Sequence, residues 1–225
     1  MGTLDDRKTG IGMTSDRTRA RMVERLRADG IRDEIVLAAI NAVPRHIFVD
    51  EALAIRAYDN APLPIGHGQT ISQPWVVARM TELARNGRTL DAVLEIGTGC
   101  GYQTAVLAQI ATTVYTVERI GVLAAKARRT LQSLKIKNVR LKHGDGSADL
   151  GEPLDVDAIV VTAGASHVPT ALLKYLKRGG RMVLPLAIPG DSSTQLLTVI
   201  ESGPGGFREQ TFDAVRFVPL LPGTA

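Results

Sequence analysis

The sequence has few of the side chains that would place it in several large protein classes. Cys100 is the only cysteine among 225 residues, so no disulfide can form within the chain and a disulfide-stapled secreted fold is excluded. Aromatic residues make up 4% of the chain, which disfavours stacking platforms for single-stranded nucleic acid. No apolar run approaches the ~18 residues of a membrane span, and residues 1–15 lack the apolar stretch of a signal peptide. We therefore expect a cytoplasmic protein without a membrane partner.

The chain also lacks a strong excess of either charge. Its 27 basic and 23 acidic side chains leave a formal net charge of +4, which is mild for a protein of this size. Five arginines nevertheless fall within one predicted helix, namely Arg17, Arg19, Arg21, Arg25 and Arg27. They form either a nucleic-acid patch or the solvated face of a surface helix. The second interpretation is favoured, so no nucleic-acid partner is predicted.

Hydrophobic periodicity predicts a helical start to the chain. After a polar leader over residues 1–15, helical spacing indicates helices over 16–29 and 33–42, and again over 75–85. Residues 58–74 lack periodicity and hold three prolines. Irregular connections of this length inside a compact domain are often functional.

From residue 86 onward, predicted strands alternate with predicted helices. The strands are expected at 92–96, 113–117, 139–143, 156–162 and 181–186, and the helices at 103–111, 120–134 and 169–176. This alternation is typical of βαβ units and a mostly parallel sheet. An antiparallel hairpin, 195–201 with 207–211, is expected at the end. The whole is predicted to be one domain, 1–225, with an extension and loop over 16–85 and a core over 86–225.

The turn after the first predicted strand is the most informative segment. It reads Val93-Leu94-Glu95-Ile96-Gly97-Thr98-Gly99-Cys100-Gly101-Tyr102. A Gly-rich strand-to-helix turn lets a ligand approach bare backbone, and the helix N-terminus favours an anion. The acid at Glu95 favours a positive charge or a hydroxyl. The turn therefore predicts S-adenosylmethionine, which combines a carboxylate, a sulfonium and a ribose, as a ligand of Glu95, Gly97, Thr98 and Gly99.

A nicotinamide dinucleotide is the alternative ligand for such a turn. Its G-x-G-x-x-G fingerprint requires a third glycine or an alanine, but counting from Gly97 that place holds Tyr102. Glu95 would also repel a pyrophosphate. The spacing favours the methyl donor, while a purely structural turn stays open.

Two further acids follow predicted strands. Glu118 lies 21 positions after Gly97 (118 minus 97), where an acid can hold ribose hydroxyls; alternatively it is a surface acid paired with Arg119. Asp145, followed by Gly146, can accept a hydrogen bond from an exocyclic amine such as that of adenine, or it is a plain turn residue. Because ligands of open α/β sheets bind at the carboxyl ends of strands, these positions favour an adenosyl ligand.

Other reactive side chains add no predicted chemistry. The residues after the fourth strand, 161–165, are small and nonaromatic, unlike the group that grips a flipped base in methylases of nucleic-acid amines. The four histidines have no metal-ligand spacing. Cys100 either lies beside the donor or fills a small space, and the second interpretation is favoured because no partner base is evident.

Several blocks resemble the protein-L-isoaspartate (D-aspartate) O-methyltransferase family. The most specific reads Pro64-Ile65-Gly66-His67-Gly68-Gln69-Thr70-Ile71-Ser72-Gln73-Pro74, and others are 43–50, 80–83, 93–107, 117–120, 144–146, 157–163 and 215–220. The resemblance runs from about Ile31 almost to the last residue. It implies a class I S-adenosylmethionine-dependent methyltransferase, a Rossmann-like three-layer α/β/α sandwich with an N-terminal helical extension.

The resemblance also implies the reaction. A methyl group passes from S-adenosylmethionine to the free α-carboxyl of L-isoaspartyl residues in damaged proteins and peptides, leaving S-adenosylhomocysteine. The ester then closes to a succinimide that reopens partly to aspartate. A carboxylate is already ionised and nucleophilic at neutral pH, so the enzyme needs alignment rather than a strong base.

The family places a serine of the Thr-Ile-Ser-Gln-Pro segment in the active site. Here that serine is Ser72, with Thr70 and Gln69 nearby, and its hydroxyl could orient the substrate carboxylate. From position alone, Ser72 is equally well placed to cap the helix at Pro74. One departure from the family is the absence of a Trp-rich segment at 147–151.

Two other functions remain open at this point. One is a methyltransferase for a different carboxylate or a small molecule. The other is a noncatalytic S-adenosylmethionine-binding module that recruits a partner through the arginine-rich helix. A monomer is the default expectation.

Overall fold

The computed structural model describes residues 10–225, apart from the side chains of Ser192 and Ser193. Residues 1–9 of the predicted leader lie outside the described residues. Its remainder forms a 3-10 turn, Gly12–Thr14, followed by Ser15. The Ser15 side chain accepts a hydrogen bond from the Thr18 amide and so begins the first helix.

Two helices form the N-terminal extension, as the periodicity predicts. Helix α1 covers Asp16–Ala28 and α2 covers Glu34–Ala42. The Asp33 side chain caps α2 by accepting hydrogen bonds from the amides of Ile35 and Val36, which satisfies two of its unpaired donors. Two 3-10 turns, Arg45–Phe48 and Glu51–Arg56, then lead toward the core.

The predicted irregular loop over 58–74 instead contains a small hairpin. Strand β1, Leu63–Gly66, pairs antiparallel with β2, Gln69–Ile71. The chain reverses through residues 66–68, which all have positive φ; His67 tolerates this conformation less readily than the glycines beside it. The expectation of a loop without regular structure was wrong, because two strands this short show no hydrophobic periodicity in the sequence.

Within residues 10–225, seven strands form the central sheet, in the order β5-β4-β3-β6-β7-β8-β9. They are β3 Leu90–Ile96, β4 Ala111–Glu118, β5 Val139–His143, β6 Val156–Val161, β7 Leu176–Ile188, β8 Asp191–Gly203 and β9 Gly206–Val215. Strands β3 to β7 are parallel to one another. Strand β8 pairs antiparallel with β7, and β9 pairs antiparallel with β8. The predicted parallel sheet and terminal hairpin are therefore both present.

In the described part of the chain, four helices follow or connect the strands. They are α3 Pro74–Arg85, α4 Tyr102–Leu107, α5 Gly121–Ser133 and α6 Thr170–Leu173. The predicted helices over 103–111 and 169–176 are longer than the observed α4 and α6. Ala111 already pairs with Leu90 of β3, and Leu176 pairs with Val156 of β6, so sheet hydrogen bonds replace the helical continuation at both places.

Alternation along the strands builds an apolar layer on each side of the sheet. In β3, Val93 packs toward α3, whereas Leu94 packs toward α6 on the opposite side, as the period of two in a strand requires. Helix α5 packs on β4 and β5. Within residues 10–225, no helix combines the length and the apolar character needed to cross a bilayer.

Candidate active site

A cleft of about 860 Å³ opens where β3, β4 and β6 end. The Gly-rich turn forms its floor, the β1–β2 hairpin forms one wall, and the C-terminal segment 218–221 forms another. Eight of the ten predicted site residues line it: Gln69, Thr70, Ser72, Gly97, Thr98, Gly99, Glu118 and Gly146. The two that do not are Glu95 and Asp145.

The Gly-rich turn has room for backbone only. Gly97 has φ +94°, and a Cβ atom there would lie 2.4 Å from the Thr162 Oγ1 atom. The Thr162 hydroxyl lies 2.6 Å from the carbonyl oxygen of Gly97, to which it donates. A threonine directly after β6 thus holds the turn in place. This role was not predicted, although a hydroxyl at the end of a parallel strand was a signal for it.

Tyr102 explains why the dinucleotide spacing is absent. It begins α4 and is 1% exposed, with its ring edge-on to Phe48 at a centroid distance of 5.6 Å. The guanidinium carbon of Arg45 lies 4.8 Å from the same ring centroid. A large side chain therefore occupies the space between α4 and the N-terminal extension. Burial raises the pKa of the Tyr102 hydroxyl to about 12, so it is neutral at physiological pH.

The structure changes the role predicted for Glu95. This residue is completely buried beneath the Gly-rich turn, and its Oε2 atom accepts hydrogen bonds from the hydroxyls of Thr104 and Thr116. Thr116 in turn lies 2.6 Å from the hydroxyl oxygen of Thr98. Since Glu95 does not reach the cleft, it supports the turn from below instead of contacting a ligand directly.

A prediction follows from the burial of Glu95, which raises its pKa from 4.5 to about 8. The folded state keeps a proton that the unfolded state releases, so stability falls as pH rises through this interval. We expect Glu95→Gln to abolish this loss, because the neutral amide and the protonated acid have the same shape. The melting temperature of the variant minus that of the wild type should grow between pH 4.5 and about 8. A difference that stays flat with pH would contradict the assignment, and Glu209→Gln, at an exposed acid, is the control for replacing a glutamate by glutamine.

Glu118 faces the cleft from the end of β4. It is 5% exposed; its Oε2 atom accepts from the Gly99 amide at 2.7 Å and its Oε1 atom from the Ile120 amide at 2.9 Å. Each carboxylate oxygen has a further lone pair for a ligand hydroxyl. The alternative pairing with Arg119 does not occur, because the Arg119 Nε atom donates to the Gly223 carbonyl.

Gly146 reaches the cleft, whereas its neighbour Asp145 turns toward the C-terminal segment. A Cβ atom at Gly146 would lie 2.6 Å from a methyl carbon of Ile96. The Asp145 Oδ1 atom accepts from the amide and the hydroxyl of Ser147, and the Oδ2 atom accepts from the Gly223 amide. Burial opposes ionisation, but these hydrogen bonds outweigh it and keep the pKa of Asp145 below its usual value. The predicted contact with adenine stays a prediction.

The hydroxyl of Ser72 is free to meet a ligand. Ser72 is half-buried and lines the cleft with Thr70 and Gln69. Gln73, not Ser72, is the cap residue of α3 and makes no side-chain capping hydrogen bond. The Asn60 Oδ1 atom instead accepts from the Trp75 amide in the first turn. The alternative role of Ser72 as a helix cap is therefore not seen.

Cys100 lines the cleft but is 4% exposed. Burial raises the pKa of its thiol to about 11, so the nucleophilic thiolate is scarce at neutral pH. This agrees with a space-filling residue beside the site.

The chain resembles proteins of one family along nearly its whole length. The family model for protein-L-isoaspartate(D-aspartate) O-methyltransferase (PCMT) matches residues 17–225. The chain belongs to this family. A protein-L-isoaspartate O-methyltransferase of Dechloromonas aromatica is 59% identical over 216 residues, which cover 96% of this chain and 98% of the relative. The corresponding protein of Methylobacillus flagellatus is 55% identical over 220 residues, covering 96% and 97%.

A solved PCMT structure has the same fold. A beta-aspartate methyltransferase (PCMT) from Plasmodium falciparum, in complex with S-adenosyl-L-homocysteine, aligns with a TM-score of 0.75 and 26% identity over 90% of this chain and 98% of that one. Together these matches confirm the predicted family, the class I methyltransferase fold, the isoaspartyl methyltransferase activity and S-adenosylmethionine as donor.

Sequence reasoning missed parts of the PCMT cleft that come from distant segments. Gln103 and Val77 line it from α4 and α3, and Pro219 and Leu221 line it from the C-terminal segment. Val218, from the block 215–220 that resembles the family, also lines the cleft. Only Gln103, directly after the Gly-rich turn, carried a usable signal, since a polar side chain there would otherwise be buried in the core.

Proposed function

We propose that the cleft binds the two reactants of the PCMT reaction on opposite sides of the Gly-rich turn. Glu118 accepts hydrogen bonds from the ribose of the donor, and Gly97, Thr98 and Gly99 pass beneath it. Ser72, with Thr70 and Gln69, receives the isoaspartyl carboxylate. The observation that carries this proposal is that the β1–β2 hairpin and Glu118 line one and the same cleft.

The residues present fit an adenosyl donor. Gly97 and Gly146 pack so closely against Thr162 and Ile96 that only bare backbone fits there, so a ligand in the cleft meets backbone at both positions. Ile96 and Ile120 supply apolar walls beside the Glu118 acceptor. S-adenosylmethionine, when bound, supplies an electrophilic methyl group on a sulfonium. In this proposal the protein binds the ligand through noncovalent contacts alone, which suits a group that is exchanged in every turnover.

The chain's own residues have to align the acceptor rather than activate it. An isoaspartyl α-carboxylate is ionised at neutral pH, so no general base is required. In our proposal the Ser72 hydroxyl donates a hydrogen bond to one carboxylate oxygen and leaves the other directed at the methyl carbon. A carbon–oxygen bond forms as the carbon–sulfur bond breaks, and its electron pair stays on sulfur, so the step transfers no proton.

The experiment that tests the function is methyl transfer from labelled S-adenosylmethionine to a short isoaspartyl peptide. The control is the same peptide with ordinary aspartate. We expect base-labile methyl ester on the isoaspartyl peptide only. Ester formation on another carboxylate or on a small molecule would indicate a different acceptor. Stoichiometric donor binding without any turnover would indicate a binding module.

We further propose that the Asp145 Oδ2 atom accepts a hydrogen bond from the adenine amine. This bond forms either together with the hydrogen bond from the Gly223 amide or in place of it. Because three donors already serve this carboxylate, the expected effect of Asp145→Ala is modest, about 3- to 10-fold in the Kd for S-adenosylhomocysteine. S-inosylhomocysteine, which has a carbonyl in place of the amine, should bind both proteins with similar affinity. Equal weakening of the two ligands would contradict the contact.

The remaining assignments concern the whole protein. We propose a single cytoplasmic domain over 1–225 that works as a monomer without nucleic-acid or membrane partners. Three of the five α1 arginines are engaged within the chain, which supports a structural helix face: Arg19 bonds to Asp16, Arg25 to the Tyr58 carbonyl, and Arg27 to Glu24 and Glu34. Light scattering after size-exclusion chromatography tests the monomer, and a mass of twice 24.1 kDa would contradict it.

A further inference from the structure

A short hydrogen-bond chain connects α4 to α3 at the edge of the cleft. The Gln103 Nε2 atom donates to the Thr81 hydroxyl at 3.0 Å, and that hydroxyl donates to the Val77 carbonyl at 2.7 Å. Thr81 is completely buried and Gln103 is 8% exposed. The two residues are 22 positions apart, so tertiary packing brings them together.

These two hydrogen bonds determine the orientation of the Gln103 carboxamide. A hydroxyl has one proton to donate, and Thr81 uses it on the Val77 carbonyl. Thr81 can therefore only accept from Gln103, which requires the amide NH₂ group on its side. The carboxamide oxygen must then point the other way. With this assignment the Thr81 hydroxyl donates to Val77 and accepts from Gln103, so both of its roles are used.

The Gln103 oxygen keeps access to the cleft. Gln103 lines the cleft, and its Oε1 atom is not among the fully buried, unpartnered side-chain atoms of the described residues. Its only hydrogen bond within residues 10–225 is the one from Nε2 to Thr81. A pure hydrogen-bond acceptor is therefore presented to whatever occupies this end.

The position of Gln103 defines the part of the donor that it meets. Glu118 lies at the end of β4, on one side of β3, whereas α3 packs against β6 and β7 on the other side. A donor with its ribose at Glu118 extends over Gly97 and Gly99 toward α3. The methionine portion, which carries an ammonium and a carboxylate, then arrives next to Gln103. An amide oxygen attracts the ammonium and repels the carboxylate.

We propose that the Gln103 Oε1 atom accepts a hydrogen bond from the α-ammonium group of S-adenosylmethionine, and that Thr81 is the positioning residue that fixes the amide. The inference rests on the donor site proposed above. It assigns to Gln103 the recognition of the amino-acid part of the donor, separately from the recognition of the ribose by Glu118.

The test compares two ligands that differ at this end only. S-adenosylhomocysteine has the amino-acid part, and 5′-methylthioadenosine lacks it. For Gln103→Leu, calorimetry should show a Kd for S-adenosylhomocysteine raised roughly 10-fold or more, while that for 5′-methylthioadenosine changes less than about twofold. The matched control is Gln132→Leu, an exposed glutamine on α5, which should change neither.

Thr81 variants test the positioning role. Thr81→Val removes the acceptor for the amide and lets it rotate, so the preference for S-adenosylhomocysteine over 5′-methylthioadenosine should fall by about threefold. Thr81→Ser keeps the hydroxyl and should restore the preference. A merely structural defect would weaken both ligands together and would not be corrected in this selective way.

Three results would decide against these assignments, and they are distinguishable. An unchanged Kd for S-adenosylhomocysteine in Gln103→Leu, or equal weakening of both ligands, would overturn the role of Gln103. Should this variant not fold, Gln103→Met, which keeps a similar length, is judged by the same ratio. Failure of the wild type to bind either ligand would instead overturn the donor site itself.

Discussion

Glu118→Ala is expected to weaken S-adenosylmethionine binding by about 30- to 1,000-fold. A hydrogen bond to a charged group contributes about 1.5–3 kcal/mol, and the two ribose hydroxyls can both reach this carboxylate, which gives roughly 2–4 kcal/mol. The effect is large because Glu118 is 5% exposed, so water cannot easily replace the lost acceptor. Titration calorimetry with S-adenosylmethionine measures it directly.

The same carboxylate also holds the Gly-rich turn through the amides of Gly99 and Ile120. A thermal melt without ligand therefore has to accompany the titration, with the exposed acid variant Glu209→Ala as control. A 2′-deoxy analogue of S-adenosylhomocysteine separates the two roles. Compared with S-adenosylhomocysteine itself, the 2′-deoxy analogue should bind the wild type more weakly. Glu118→Ala should bind the two ligands with similar affinity. Unchanged binding of S-adenosylmethionine by a folded variant would remove Glu118 from the donor site.

Ser72→Ala is expected to lower kcat for isoaspartyl peptides by about 10- to 100-fold, with the Kd for S-adenosylmethionine changed less than about threefold. Its hydroxyl has no hydrogen-bond partner within residues 10–225 and faces the cleft. Removing this hydroxyl leaves the substrate carboxylate misaligned, but it leaves no buried polar group of the protein without a hydrogen-bond partner. Single-turnover methyl transfer at saturating donor measures the effect.

Thr18→Ala is a suitable control for this experiment, since Thr18 is a part-buried hydroxyl of α1 that does not line the cleft. Ser72→Thr supplies a second comparison, because it restores the hydroxyl on a bulkier side chain and should recover part of the rate. Loss of donor binding with an unchanged rate at saturation would place Ser72 on the donor side and contradict the proposed orientation of the carboxylate.

Local sequence signals predicted the kind and order of most elements. Helix α5, Gly121–Ser133, agrees closely with the predicted 120–134. Strands β8, Asp191–Gly203, and β9, Gly206–Val215, form the predicted hairpin but extend well beyond the predicted 195–201 and 207–211. The failures were at places where pairing with a distant strand competes with local preference. Ala111 and Leu176 both lie in apolar stretches that suit a helix, and both are drawn into the sheet by their partners.

The two acids after neighbouring strands show where sequence reasoning about the site stops. Glu95 and Glu118 both end or nearly end a parallel strand, and both were predicted to contact the donor. Glu118 is the last residue of β4 and turns into the cleft. Glu95 lies one residue before the end of β3, and α4 covers it with Thr104. Glu95 lies opposite Thr116, two residues before Glu118, so both acids are on the same face of the sheet. Glu118 lies beyond the last residue of β3, where this face opens into the cleft, and only packing shows where the cover ends.

The chemistry of this protein follows from local features of its sequence. The Gly-rich turn, the acid 21 positions beyond it and the segment from Gln69 to Ser72 are contiguous or regularly spaced, because close approach of a ligand constrains the backbone locally. The tertiary structure alone decided which side chains share the cleft. Gln103 is oriented by Thr81, and residues 218–221 close the far wall. Such contacts depend on the stacking of helices on the sheet, which no short stretch of sequence specifies.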